Sequence, residues 1–256
     1  LFISLGLIYF WVVPKADKRP VREFVYAISN RKTLKLLALA ALLSGINWIG
    51  FVWAVTNGRA LEASLGYYIC PQVHVFLGVL ILRERLNSMQ WLAIIFAAIG
   101  VIYISSFCSE IPWISLLMAT SFGLYGLVKK KVPIGVVPNL TIETGMMLVP
   151  AILFLSYFKM SSSEPLLESP WWINVLLVLS GLLTITPLAF YGTAVRHIPL
   201  STVGLLQFIG PTLQFFCSVY LLGETFDHNR LVGFIFVWIA LAIFLFANRR
   251  YARQVI

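Results

Sequence analysis

Charge is what this chain has least of: 11% of its residues are Asp, Glu, Lys or Arg, against about 25% in an ordinary soluble domain. With 60% of the residues hydrophobic, too few ionic groups remain to build a water-facing surface. The chain is therefore an integral membrane protein. Its apolar runs do not show the roughly ten-residue alternation of barrel strands, so it is all-α. Cysteine is scarce too. Cys70, Cys108 and Cys217 stand far apart with no CxxC pairing, which supports neither a disulfide framework nor a metal site; each is read as a small apolar filler. Catalytic signatures are missing as well, with no GxxxxGK[ST], HExxH or GxSxG present. His74, His197 and His228 fall in a span and in connections on opposite sides, so they cannot converge, and no cluster of acidic or histidine groups marks a reactive face. No enzyme activity, cofactor or metal is expected.

What is present is a repeat. Leu61–Leu86, LEASLGYYICPQVHVFLGVLILRERL, recurs 140 residues later without a gap as Ser201–Phe226, STVGLLQFIGPTLQFFCSVYLLGETF. Pro71 falls on Pro211, Phe76 on Phe216, Leu82 on Leu222 and Glu84 on Glu224. Each copy is long enough to cross a bilayer at about 20 residues and 1.5 Å per residue. Polar or small groups share a helical stripe with each proline: Tyr67, His74 and Gly78 in one copy, Gln207, Gln214 and Ser218 in the other.

The hydropathy pattern gives nine crossings. The first, Leu1–Val13, is shorter than a full span. A basic stretch follows, Pro14–Thr33, with room for a short helix on the membrane surface. The other spans are Leu34–Thr56, Leu61–Leu82, Met89–Phe107, Ile111–Val128, Leu140–Phe158, Trp171–Val195, Leu200–Leu222 and Leu231–Ala247. Sixteen of the nineteen basic residues lie on alternate connections: Lys15, Lys18, Arg19, Arg22, Arg31, Lys32 and Lys35, then Arg83 and Arg85, then Lys129–Lys131, Arg196, and finally Arg249, Arg250 and Arg253. By the positive-inside rule that side is cytoplasmic and the C-terminus lies there. The net charge of +9 is thus topology and contact with anionic lipid, not a nucleic-acid footprint.

The repeat extends beyond the opening pair, since Ala54-Val55 matches Ala194-Val195, and Ile95, Phe96 and Ile99 match Ile235, Phe236 and Ile239. Leu1–Val13 pairs with the span beginning at Thr141, whereas Ile111–Val128 is left without a partner. The pairing predicts a tenth helix upstream of residue 1, and hence a five-plus-five design of which nine helices are seen. Five is odd, so the two units are expected upside down relative to each other, spanning 1–107 and 111–249 with a tail at 250–256. Inverted repeats with interrupted helices at matched positions are the best sequence pointer to a secondary transporter with its site near the midplane. Two other readings stay open: a flippase for a lipid-linked metabolite, and a membrane assembly subunit that moves nothing itself.

The stretches NWIGFVWAV (Asn47–Val55), LEASLGYYICP (Leu61–Pro71), ERLNSMQWLA (Glu84–Ala93), SFGLYGLVKKK (Ser121–Lys131) and STVGLLQFIGPTL (Ser201–Leu213) together resemble the RarD subfamily of EamA-like transporters, in the drug/metabolite transporter superfamily. That resemblance covers nearly the whole chain. It implies ten helices in two EamA repeats in the bacterial inner membrane, with both termini cytoplasmic, and transport or export of small molecules. The first helix of that pattern is missing here.

Polar groups inside the spans are the candidates for mechanism. Asn47, Trp48, Tyr67, Tyr68, Pro71, Gln72, His74, Thr186, Gln207, Pro211 and Gln214 are the expected lining of a substrate cavity, with Thr184 beside them. Hydrogen bonding from helix to helix is the plain alternative for each. His74 and Glu143 are the candidates for proton coupling. A histidine titrates near neutral pH, but the position related to His74 is Gln214, which cannot titrate, so a helix-bridging imidazole competes with the coupling role. Glu143 and Glu62 also read as charges favoured near a helix N-terminus. Glu84 and Glu224 are expected to act as a cap or gate at the membrane edge. Gly123–Gly126, flanked by Ser121 and Tyr125, favours close helix contact. The partners expected are a small-molecule substrate and the lipid bilayer, and the sequence leaves a homo-oligomer open.

Overall fold

The computed structural model describes residues 19–106, 112–161, 171–220 and 228–254. Among them every regular element is helical: α1 Arg19–Ser29, α2 Arg31–Thr56, α3 Ala60–Leu80, α4 Ser88–Ser105, α5 Trp113–Lys131, α6 Val136–Ser161, α7 Trp171–His197, α8 Leu200–Gln207, α9 Ile209–Tyr220 and α10 His228–Gln254. Four stretches among the described residues are long and apolar enough to cross a membrane: Arg31–Thr56, Glu62–Leu80, Ser88–Ser105 and Val136–Phe154. Shorter apolar helical stretches cover Leu200–Leu213 and Leu231–Ala247.

α4 shows why these helices suit lipid. Asn87 and Gln90 begin it with a reciprocal capping box, Gln90 N donating to Asn87 Oδ1 at 2.8 Å and Asn87 N to Gln90 Oε1 at 3.0 Å. Its large residues Ile95, Ile99 and Ile102 point outward, while Ala93, Ala97 and Gly100 are buried. A helix in water would reverse that order. In lipid, small residues mark the helix contact because they let backbones approach closely.

The chain forms two compact units, Leu1–Gly45 with Val128–His197 and Ile46–Leu127 with Ile198–Ile256. In the second, α3 is gripped from two sides. Added Cβ atoms on Gly66 and Gly123 would lie 3.3 Å from Ser115 O and 2.4 Å from Val73 Cγ1, so α5 touches it closely. On the other side a Cβ on Gly204 of α8 would lie 2.7 Å from Pro71 O. Helices related by the repeat are thus packed together, and they run in opposite directions. Along α3 and α8, Cys70 meets Gln207, His74 meets Gly204, and Gly78 meets Ser201. Along α4 and α10, Gly100 meets Gly233, Phe236 and Val237, while Ile104, one turn further on, meets Gly233.

In the first unit, α1 lies against α6, and α6 meets α7 through Leu140, Ile185, Leu188 and Ala189. The turn joining α5 to α6 is clasped from both sides. Gly135 N donates to Glu23 Oε2 of α1 at 2.6 Å, and Arg196 of α7 donates to Ile134 O. Lys130 Nζ donates to Val195 O at 3.2 Å.

Two expectations are corrected. Pro71 does not interrupt α3, which is continuous through it, because the close contacts at Gly66, Gly123 and Gly204 hold the helix on both sides. Within Leu200–Leu222 the described helix ends at Gln207 and resumes at Ile209, with Phe208 between them keeping helical dihedrals; Pro211 has no N–H for the Gln207 carbonyl, and the joint falls there, one turn upstream. Lys129 is not a loop charge: it lies in the last turn of α5 and is buried. Leu1–Val13, the loops Cys108–Glu110 and Lys159–Pro170 (apart from Lys159–Ser161), and Glu224 lie outside the described residues.

Candidate functional site

In the second unit the polar groups gather along α3. His74 is wholly buried between α5 and α8. Its Nδ1 lies 3.0 Å from Cys70 O, one turn back, and its ring meets Phe122 edge-on at 6.0 Å. A carbonyl only accepts, so Nδ1 carries the hydrogen and Nε2 is the acceptor of the neutral ring. The Cys70 thiol donates towards Gln207 Oε1 at 3.9 Å, tying the two copies of the repeat together. Gln72 has its Nε2 shut away from solvent with no hydrogen-bond partner. Pro71 and Pro211 are both buried.

Other candidates scatter. Asn47 Nδ2 donates to Met118 O at 2.8 Å and Ser121 Oγ at 3.3 Å, bridging α2 to α5. Tyr68 packs edge-on against Phe234 of α10 at 5.3 Å. Trp48 and Tyr67 are exposed, the latter beside Phe51. Thr186 is exposed on α7, in the first unit. The side chain of Gln214 lies outside the described set.

Glu84 binds a helix end. Its two carboxylate oxygens accept from Leu200 N at 2.7 Å, Ser201 N at 2.9 Å and Ser201 Oγ at 2.6 Å, satisfying the first orphan donors of α8 where the dipole favours negative charge. Glu62 pairs with Arg59 at 3.2 Å, and its backbone carbonyl accepts from Ser115 Oγ at 2.5 Å.

The first unit holds a constellation that sequence reasoning only half saw. Lys129 Nζ donates to Glu143 Oε2 at 2.6 Å and to Asn139 Oδ1 at 2.7 Å, and all three residues are buried. Successive residues in a helix point about 100° apart, so of three consecutive lysines one can face α6 while another faces away. The signal that could have found the triad is Asn139 and Glu143, at i and i+4 on one face of α6. A buried lysine and carboxylate persist among apolar helices when they pair with each other, and ionisable groups in that position mark functional sites by default.

Apolar faces turned outward and polar groups turned inward define a multi-pass helical membrane protein. The chain belongs to the EamA-like transporter family, which it matches over residues 1–106 and 110–246. It is 41% identical to protein RarD of Escherichia coli over 237 residues, covering 93% of this chain and 80% of that one. It is also 41% identical to an uncharacterized transporter of Pseudomonas aeruginosa over 228 residues (88% and 76%), and 39% identical to one of Vibrio cholerae over 223 residues (87% and 74%). The chain is thus a transporter of RarD type and not an enzyme.

Proposed function

We propose that this chain is a secondary transporter that exports small metabolites or drug-like solutes across the bacterial inner membrane by alternating access between two inverted repeats. The repeats are residues 1–107 and 111–249, in a ten-helix, five-plus-five design, with 250–256 as a cytoplasmic tail. The antiparallel packing of repeat-related helices carries this reading. Repeats related by an axis along the membrane normal keep the same direction, whereas an axis in the membrane plane reverses it. α3 against α8, and α4 against α10, have the reversed sense. The joint at Phe208 fits the interrupted helix of such a site.

In the second unit Gln72, Gln207, Tyr67 and Trp48 are the side chains with polar or aromatic surface to offer a solute, and the Gln72 amide, whose Nε2 has no hydrogen-bond partner, is the readiest donor. Glu143, held by Lys129, and His74 are the proton-coupling groups, and Glu84 is a gate contact at the head of α8. The test is flux from proteoliposomes across a panel of labelled solutes, with an imposed pH gradient. At least one solute should move, Gln72→Leu should slow it, and Glu143→Gln should remove its response to the gradient. Movement of a labelled lipid headgroup with no solute flux would replace this reading with a flippase. Wild-type flux and pH response in both His74→Gln and Glu143→Gln would remove the coupling role.

A further inference from the structure

Helix α1 has three faces where a surface helix has two. Pro20, Glu23, Phe24 and Ala27, at helical spacing, turn towards the protein, with Ala27 fully buried and the rest half-buried. A second stripe, Val21, Val25 and Ile28, is exposed at 40%, 58% and 50%. These residues stand at i, i+4 and i+7, one continuous line along the helix. The third face carries Arg19, Arg22 and Ser29, all exposed.

The bare apolar stripe cannot be hidden by rolling the helix. Glu23 Oε2 accepts from Gly135 N at 2.6 Å, and a Cβ on Gly135 would lie 2.7 Å from the same oxygen, so the latch suits glycine. The location is fixed as well. α1 ends at Ser29, and the membrane span α2 begins at Arg31 after a single residue. That residue, Asn30, caps α2, its Oδ1 accepting from Lys32 N at 3.0 Å and Thr33 N at 3.2 Å. α1 therefore lies where the chain enters the bilayer. An apolar line beside a basic line, at that level, is the composition of a helix lying in the interface plane.

We propose that α1 is an in-plane interfacial helix: its Val21–Val25–Ile28 line sits in the acyl boundary, and Arg19 and Arg22 bind the headgroups of anionic phospholipid. Arg31, Lys32 and Lys35 at the head of α2 extend the same positive field, which is complementary to an anionic leaflet. Through Glu23 the lipid contact is tied to the α5–α6 turn, which joins the helices bearing Lys129 and Glu143.

The experiment uses the full chain with Cys70, Cys108 and Cys217 replaced by alanine and single spin-labelled cysteines introduced along α1. The vesicles are phosphatidylcholine with and without phosphatidylglycerol. Labels at Val21→Cys, Val25→Cys and Ile28→Cys should collide several-fold more with oxygen than with a water-soluble nickel chelate, and those at Arg22→Cys and Ser29→Cys should reverse that ratio. Equal access of the chelate to positions 25 and 29 would make α1 a water-facing helix and overturn the proposal. So would access of neither reagent to positions 25 and 28, which would mean a protein cover such as a second copy of this chain. As a second measurement, Arg19→Gln with Arg22→Gln should bind spin-labelled phosphatidylglycerol roughly thirtyfold more weakly, about fivefold for each surface charge removed. Unchanged binding would remove the headgroup assignment. Neither readout depends on flux, so this inference and the transport reading can fail separately.

Discussion

Removing either partner of the Lys129–Glu143 pair should destabilise the protein severely, and removing both together should not. Their side chains are 2% and 3% exposed, at 2.6 Å separation. Breaking such a pair leaves one buried charge uncompensated, which costs about 3–5 kcal/mol. Lys129→Met also strands Asn139, whose Oδ1 accepts from Nζ at 2.7 Å, and a buried unsatisfied amide adds about 1–3 kcal/mol. Lys129→Met should therefore be worse than Glu143→Leu. The double variant, with two apolar side chains in place of the pair, still strands Asn139 and should cost about 1–3 kcal/mol, less than either single variant, because apolar replacement of a whole buried pair is often neutral or better. On the soluble-domain scale of about 2–4 °C per kcal/mol, Glu143→Leu loses roughly 6–20 °C in Tm and Lys129→Met roughly 8–32 °C. The assay is thermal unfolding of detergent-purified protein, followed by tryptophan fluorescence, across the four members of the cycle. A double variant whose loss equals the sum of the single losses would refute the pairing.

The same assay checks two further expectations. Glu84→Ala removes three acceptor contacts at the head of α8 and should cost about 0.5–2 kcal/mol, the range for a lost N-terminal cap, with Glu84→Gln in between; a neutral Glu84→Ala would mean that the cap contributes nothing. Gly204→Ala drives a methyl to 2.7 Å from the Pro71 carbonyl and should cost about 1–3 kcal/mol as overpacking. Gly45→Ala, whose methyl would meet only the end of Met147 at 3.5 Å, should gain up to about 1 kcal/mol from helix propensity; a reversed order of these two variants would contradict the contact between α3 and α8.

The helices were legible in the sequence where one property decides them. Long apolar runs end where charge or a cap begins, so α3 and α4 start within a residue of their expected positions. The fate of a proline was not legible, because it depends on neighbours distant in the chain. Pro71 and Pro211 occupy matching places in the repeat, yet Pro71 is held by glycines at 66, 123 and 204, and α9 has no comparable grip at Gly210, where an added Cβ meets nothing within 4 Å. The polar triad was half legible. Glu143 stands out as a carboxylate inside an apolar run, but its partner is hidden in a run of lysines that serves equally well as a topology signal. Only the contact of Lys129 with Asn139 and Glu143 distinguishes it from Lys130 and Lys131.

The two antiparallel contacts in the second unit differ in kind, and the difference bears on where motion can arise. Along α4 and α10 the crossing is dry and built from small residues, with Gly100 and Gly233 so close that a methyl on Gly100 would lie 2.7 Å from the other backbone. Contacts of that density have no second arrangement nearby, since a small slide sets backbone against backbone. Along α3 and α8 the contact is close near Pro71 and Gly204 and tied by carboxylate hydrogen bonds at the Glu84 end, but at Cys70 and Gln207 it relies on a thiol at 3.9 Å. Just beyond that thiol Phe208 keeps helical dihedrals, its carbonyl accepting from Thr212 N at 3.3 Å, but Pro211 leaves the Gln207 carbonyl without its helical donor. Pivoting there gives up no i→i+4 bond from residue 211, whereas bending α4 or α10 would break an intact ladder. Within this unit a helical donor is thus missing at the α8–α9 joint, whereas the glycine crossing of α4 and α10 is closely packed along its length.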